Sequence, residues 1–159
     1  MNTHTISLTV ENRHGALSRI ANLFSSRGYN ISSLNVAETD DPSISRMTLI
    51  VDGDEDILEQ VVKQLNRLID VIKVIDFSGE TTINRETILV RVDAGKSNRH
   101  EITALASLFN AKVAGVAPSS LVLELTADPL VIGDFVSLIK SYGIKELVRS
   151  GPIALGAKR

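Results

Sequence analysis

The sequence predicts an α+β protein built as two consecutive ferredoxin-like βαββαβ units, and three observations carry that expectation. Strand-period and helix-period segments alternate as β-α-β-β-α-β within about the first eighty residues; the same order recurs in the second half; and both halves close on Ser-Gly, at Ser78-Gly79 and Ser150-Gly151. The expected division is a domain over residues 1–78, a linker over 79–84 and a second domain over 85–159. One intertwined sheet is disfavoured, because each half already holds a full set of strands and helices.

In the first unit, Ile6, Leu8 and Val10 alternate with Thr5, Ser7 and Thr9, which gives a half-buried strand with one apolar and one hydroxylated face. Leu17, Ile20, Ala21 and Phe24 then repeat at helical spacing until Arg27-Gly28, where a glycine after a basic last turn supplies a stop. Asn30 to Ala37 reads as the second strand and as a sheet edge, Glu38 to Pro42 as a turn, and Arg46 to Val51 as the third strand. Asp54, Glu55 and Asp56 crowd the start of a helix with the stripe Leu58, Val61, Leu65, Leu68, where carboxylates suit the positive end of the helix dipole. Val71 to Phe77 closes the unit as a β-branched strand.

The second unit begins with a strand over Thr87 to Val92. Asn98 and Glu101 read as a capping box before Ile102, Leu105 and Phe109, and Val113–Val116 with Leu121–Leu125 as a hairpin about Pro118-Ser119-Ser120. Asp128-Pro129 is a cap residue followed by proline at the first helical position, ahead of Ile132, Phe135, Val136 and Ile139. Ile144 to Val148 is the last strand expected.

Composition narrows the function. Of 159 residues, 17 are basic and 19 acidic, so the net charge of −2 offers no cationic excess to neutralise a nucleic-acid backbone. The absence of cysteine removes disulfides, thiolate metal sites and cysteine nucleophiles together. The first residues run into a strand without a basic then apolar leader, and no apolar run reaches a membrane span of about 18 residues, so the chain reads as soluble and cytoplasmic. His4, His14 and His100 are scattered and read as solvated surface rather than metal ligands; Asp40-Asp41 and Asp52 to Asp56 read as turn and cap chemistry. No Gly-x-Ser-x-Gly elbow appears, which leaves independent catalysis without a nucleophile. An RNA-recognition module would need aromatics on its central strands, but Phe24, Phe109 and Phe135 fall on helix stripes.

What remains is the turn Glu11-Asn12-Arg13-His14-Gly15. Asn12 and Gly15 flank a helix N-terminus, whose open N–H groups and positive dipole favour a carboxylate, and Gly15 lets a guest come close to the backbone. The residues alone allow equally that Asn12 only caps the helix and Gly15 only relieves the turn. Asn30 adds a polar group at the entry to strand two.

Glu11-Asn12-x-x-Gly15-Ala16-Leu17-Ser18-Arg19, then Phe24-Ser25-x-Arg27-Gly28-Tyr29-Asn30-Ile31-x-Ser33-Leu34, then Asp40-Asp41-Pro42-x-x-Ser45-Arg46-Met47-Thr48 closely resemble the small regulatory subunit of acetolactate synthase (acetohydroxyacid synthase). Leu58-Glu59-Gln60, Lys63-Gln64-Leu65 and Arg149-Ser150-Gly151 extend the likeness over nearly the whole chain. The resemblance implies an N-terminal ACT domain that binds a free amino acid, commonly valine, across a two-fold interface of a homodimer. It implies effector contacts from Asn12, Gly15 and Ser18 of one subunit and Asn30 and Ile31 of the other, with Ala37 and Gln60 nearby. It also implies no chemistry or cofactor of the chain's own, and a catalytic large subunit as partner that carries thiamine diphosphate, Mg2+ and FAD. His14 stands where the family often has proline or a small residue, and Ser32 where it usually has glutamate. The alternative reading is an ACT-type amino-acid sensor that regulates a different enzyme.

Overall fold

The structure, a computed structural model, describes residues 3–157, so the outermost residues of the two expected domains, 1–2 and 158–159, lie outside it. The first unit runs β1 (Thr3–Glu11), α1 (Ala16–Arg27), β2 (Asn30–Glu38), β3 (Ile44–Asp52), α2 (Glu55–Leu65) and β4 (Val71–Asp76). Its strands form an antiparallel sheet in the order β2-β3-β1-β4, with β2 at one edge. Alternation in the sequence becomes burial: Ile6, Leu8 and Val10 of β1 and Met47, Leu49 and Val51 of β3 share a core with Ile20 and Phe24 of α1 and Leu58, Val61 and Leu65 of α2. Sealing each of these large side chains from water stabilises the unit by about 2 kcal/mol relative to exposure. The helices end as the sequence requires. Gly28 caps α1 in the left-handed conformation at φ 70°, and the Asp54 side chain accepts a hydrogen bond from Ile57 N at the start of α2.

The second unit repeats this plan with β5 (Thr82–Asp93), α3 (Arg99–Leu108), β6 (Lys112–Ala117), β7 (Ser120–Ala127), α4 (Pro129–Ile139), a single 3-10 turn over Lys140–Tyr142, and β8 (Ile144–Arg149), in the sheet order β6-β7-β5-β8. Ile88, Val90, Val92, Leu121, Leu123 and Leu125 make its core with Ile102, Ala106, Ile132, Phe135 and Ile139. The repeat reaches the irregularities. Ser32 bulges from β2 where Ala114 bulges from β6, and Ile72 bulges from β4 where Lys145 bulges from β8. Shared bulges at matching registers are far stronger support for duplication than the two Ser-Gly ends, since bulges are retained features of a fold.

Three details differ from the sequence expectation. The compact units run to Ile83, and from Asn84 to Ile153, with the chain from Ala154 returning to the first; the stretch expected as linker is half strand, because β5 begins at Thr82. A last strand, β9 (Ile153–Gly156), pairs with β5, and Ala157 N donates to Thr81 O. The capping box at α3 does not form: Asn98 makes no cap bond and its Nδ2 donates to Asp93 O, so its side chain reaches back to the strand it follows.

Candidate functional site

The turn after β1 is closed from both sides by main chain. Glu11 N donates to Asp70 O (2.8 Å) and Asn12 N to Ser43 O (2.7 Å). Gly15 then takes φ +84°, a conformation open to glycine and costly for other residues, and α1 begins at the next residue. No side chain caps α1. The first helical bond, Arg19 N to Gly15 O, leaves the amides of Leu17 and Ser18 as the open donors of the first turn. Asn12 does not cap the helix. Its Nδ2 donates to Glu38 Oε1 (3.0 Å) and Pro42 O (2.9 Å), which ties the turn to the β2–β3 hairpin and leaves the amide oxygen for a guest.

Sequence reasoning missed the charged pair beneath this turn. Arg19 donates from Nε and Nη2 to the two carboxylate oxygens of Asp70 (2.5 and 2.9 Å), whose side chain is only 4% exposed. These hydrogen bonds hold the Asp70 carboxyl below the usual range, against the opposing effect of burial, and raise Arg19 in turn. The available signal was an aspartate set alone between Ile69 and Val71 in an apolar stretch.

The remaining residues fall into two groups. Ser18 on the first turn of α1 and Ala37 near the end of β2 lie at the same end of the sheet as Asn12 and Gly15; both are exposed. Asn30, Ile31 and Gln60 lie at the other end. Asn30 Nδ2 donates to Asp52 Oδ2 (2.8 Å), Ser32 Oγ donates to Asp52 Oδ1 (3.2 Å), and Tyr29 OH donates to Gln60 Oε1 (2.8 Å). Along β2, Asn30 and Ala37 are separated by roughly 23 Å at about 3.3 Å per residue. One copy of the chain therefore does not bring the expected effector residues together.

His4 is a correction. It is 8% exposed rather than solvated, with ring contacts to Ser78 Oγ (3.1 Å) and Gly53 O (3.2 Å), while His14 and His100 are exposed. A cleft of about 650 Å³ beside His4 is lined by Glu55, Asp56, Glu59 and Asp76 and is ill suited to a carboxylate. Asp41 accepts from Ser43 N and Ser43 Oγ, the turn chemistry expected of it. Among the described residues no His, Asp and Glu cluster is arranged to hold a metal, and no helix is long and apolar enough to cross a membrane.

A family model described as the AHAS small subunit-like ACT domain matches residues 6–73, and one described as the small subunit of acetolactate synthase matches residues 85–158. The chain is 45% identical over 152 residues to the "Probable acetolactate synthase small subunit" of Archaeoglobus fulgidus, covering 96% of this chain and 95% of that one. It is 40% identical over 153 residues to the acetolactate synthase small subunit of Mycolicibacterium smegmatis, covering 96% and 90%. The crystal structure of the acetolactate synthase small subunit from Thermotoga maritima superposes with a TM-score of 0.90 at 31% identity, covering 100% of this chain and 99% of that one.

Proposed function

The chain belongs to the family of acetolactate synthase small subunits, the regulatory subunits of that enzyme, and from that premise we propose that it activates a catalytic large subunit and makes it sensitive to a branched-chain amino acid, with valine the first candidate. The reaction under control joins two pyruvates into 2-acetolactate with loss of CO2, or pyruvate with 2-oxobutanoate. Thiamine diphosphate, Mg2+ and FAD belong to the catalytic partner in this reading.

The observation that carries it is the split of the effector residues between the two ends of β2. This strand is an unpaired sheet edge within the chain, with Leu34 (38%) and Val36 (45%) exposed on it, and an open edge of that kind invites pairing. Antiparallel pairing of two β2 strands about a two-fold carries Asn30, Ile31 and Gln60 of one subunit toward Asn12, Gly15, Ser18 and Ala37 of the other. Two sites follow, each made by two chains. Exposed β2, the open amides of Leu17 and Ser18 and the unengaged oxygen of Asn12 then serve one purpose. A ligand that favours one arrangement of the paired sheets couples to a distant active site, typically by about 1–3 kcal/mol.

The test is reconstitution. The isolated chain is expected to form no acetolactate, to raise the rate of its cognate large subunit severalfold, and to confer inhibition by valine; equal rates with and without it would remove the assignment.

A further inference from the structure

The two units close the turn after their first strand with one backbone frame and different side chains. Glu11 N to Asp70 O and Asn12 N to Ser43 O in the first unit are matched in the second by Asp93 N to Gly143 O and Ala94 N to Ser119 O (both 2.9 Å). Glycine stands where the first unit has Asp70, and alanine where it has Asn12, so the frame itself demands neither side chain. The arginines differ too. Arg99 of the second unit turns Nη2 inward to the carbonyls of Ala94, Ala117 and Pro118 (2.9, 2.6 and 3.0 Å), where it only fastens main chain.

Arg19 is arranged otherwise. Asp70 takes the Nε and Nη2 edge of the guanidinium and so fixes its plane. Nη1 then lies against Gly15, 3.0 Å from where a Cβ on that residue would stand, and it has no hydrogen-bond partner among the described residues. Burying a carboxylate carries a desolvation cost that a glycine in its place avoids, as Gly143 does. The Asp70 side chain is 4% exposed and Arg19 46%, so the acid is shut away while the guanidinium stays accessible at the turn.

Resting on the reading of this turn as the amino-acid site, we propose that Arg19 is a specificity-determining residue for the effector's carboxylate, with Nη1 donating to it, and that Asp70 is the residue that positions Arg19. The ligand class is then α-amino acids with a free carboxylate. An amide of the same amino acid, which keeps the ammonium and the side chain, is rejected because it brings no anion to the guanidinium.

Calorimetry of the full chain with L-valine and L-valinamide tests this. The unaltered protein is expected to bind valine at least about tenfold more tightly. The double variant Arg19→Gln/Asp70→Asn replaces the ion pair by two amides and strands no buried charge. In it valine affinity should fall about tenfold or more while valinamide affinity changes little, so that the preference collapses. A folded double variant that keeps the preference overturns the role, and so does one in which both ligands weaken alike, the mark of a purely structural brace. Should that variant not fold, Arg19→Lys decides: one ammonium cannot reach Asp70 and the ligand as a fork does, so the preference should drop severalfold, and an unchanged ratio overturns the role. If the unaltered protein binds none of valine, leucine or isoleucine, the site itself is lost, an outcome distinct from a preserved preference.

Discussion

At the scale of single residues, Gly15 is decided by two terms at once. Its φ of +84° strains any residue with a side chain, by about 1–2 kcal/mol, and a Cβ there would stand 3.0 Å from Arg19 Nη1. Gly15→Asp therefore does more than add a negative charge beside a negative guest: its carboxylate competes with Asp70 for the guanidinium. The expected outcome is a folded protein with a lowered melting temperature and no measurable valine binding, against a milder loss for Asn30→Ala, checked by calorimetry and thermal melts on both. Normal valine affinity in a folded Gly15→Asp protein would reduce the turn to a helix start. Asp70 itself gives a pH dependence of definite sign. Its folded-state carboxyl lies below its usual 3.8 because Arg19 hydrogen-bonds the charged form, so its stabilisation is complete above that value and is lost as pH falls through the native one. Acid unfolding should therefore depend more weakly on pH below about 4 in Asp70→Asn than in the unaltered protein, whereas a neutral-pH inflection would not fit this group.

At the scale of elements, helix starts separate what a sequence states from what it suggests. Asp128 accepts from Leu130 N ahead of Pro129, so Asp128→Ala should cost about 1 kcal/mol. Asn98 makes no such bond at α3, so Asn98→Ala should cost much less; urea titrations of the two variants measure the contrast. Both sites looked like caps in the sequence, because residue type and spacing are local properties, whereas the Asn98 amide is turned back to donate to Asp93 O at the strand end. The same distinction runs through the fold. Period-2 and period-3.6 apolar spacing marked the central strands β1, β3, β5 and β7 and the four helices because burial on one face imposes it directly, whereas the edge strands β2 and β6 bury no residue within the chain. β9 went unseen, since four residues after Gly151-Pro152 are too short to show a period. The bulges at Ser32 and Ala114 went unseen because nothing in their residue types requires them. In the candidate site, Asn12 and Gly15 were legible as a turn before a helix. Arg19 with Asp70 was not, because the pair is joined across 51 positions of sequence by topology alone.

At the scale of the whole molecule, the arrangement of the proposed effector residues makes a claim about two chains that a mixture of two variants can test. Asn12 and Gly15 stand at one end of β2 and Asn30 at the other, roughly 23 Å apart at about 3.3 Å per residue. If paired β2 edges build each site from both subunits, a dimer of Gly15→Asp chains has two dead sites and a dimer of Asn30→Ala chains has two weakened ones. A mixed dimer is different. One of its sites receives both substitutions and the other receives neither, so an unaltered site reappears from two damaged chains. Random exchange at equal concentrations makes about half of all dimers mixed, each with one intact site, and restores about a quarter of the normal number of sites. Co-refolding the two variants and counting high-affinity valine sites by equilibrium dialysis reads this directly, with each variant refolded alone as the control. A site contained within one chain restores nothing on mixing, whatever the dimer does. The partial recovery therefore separates a shared site from a dimer whose sites are merely neighbours.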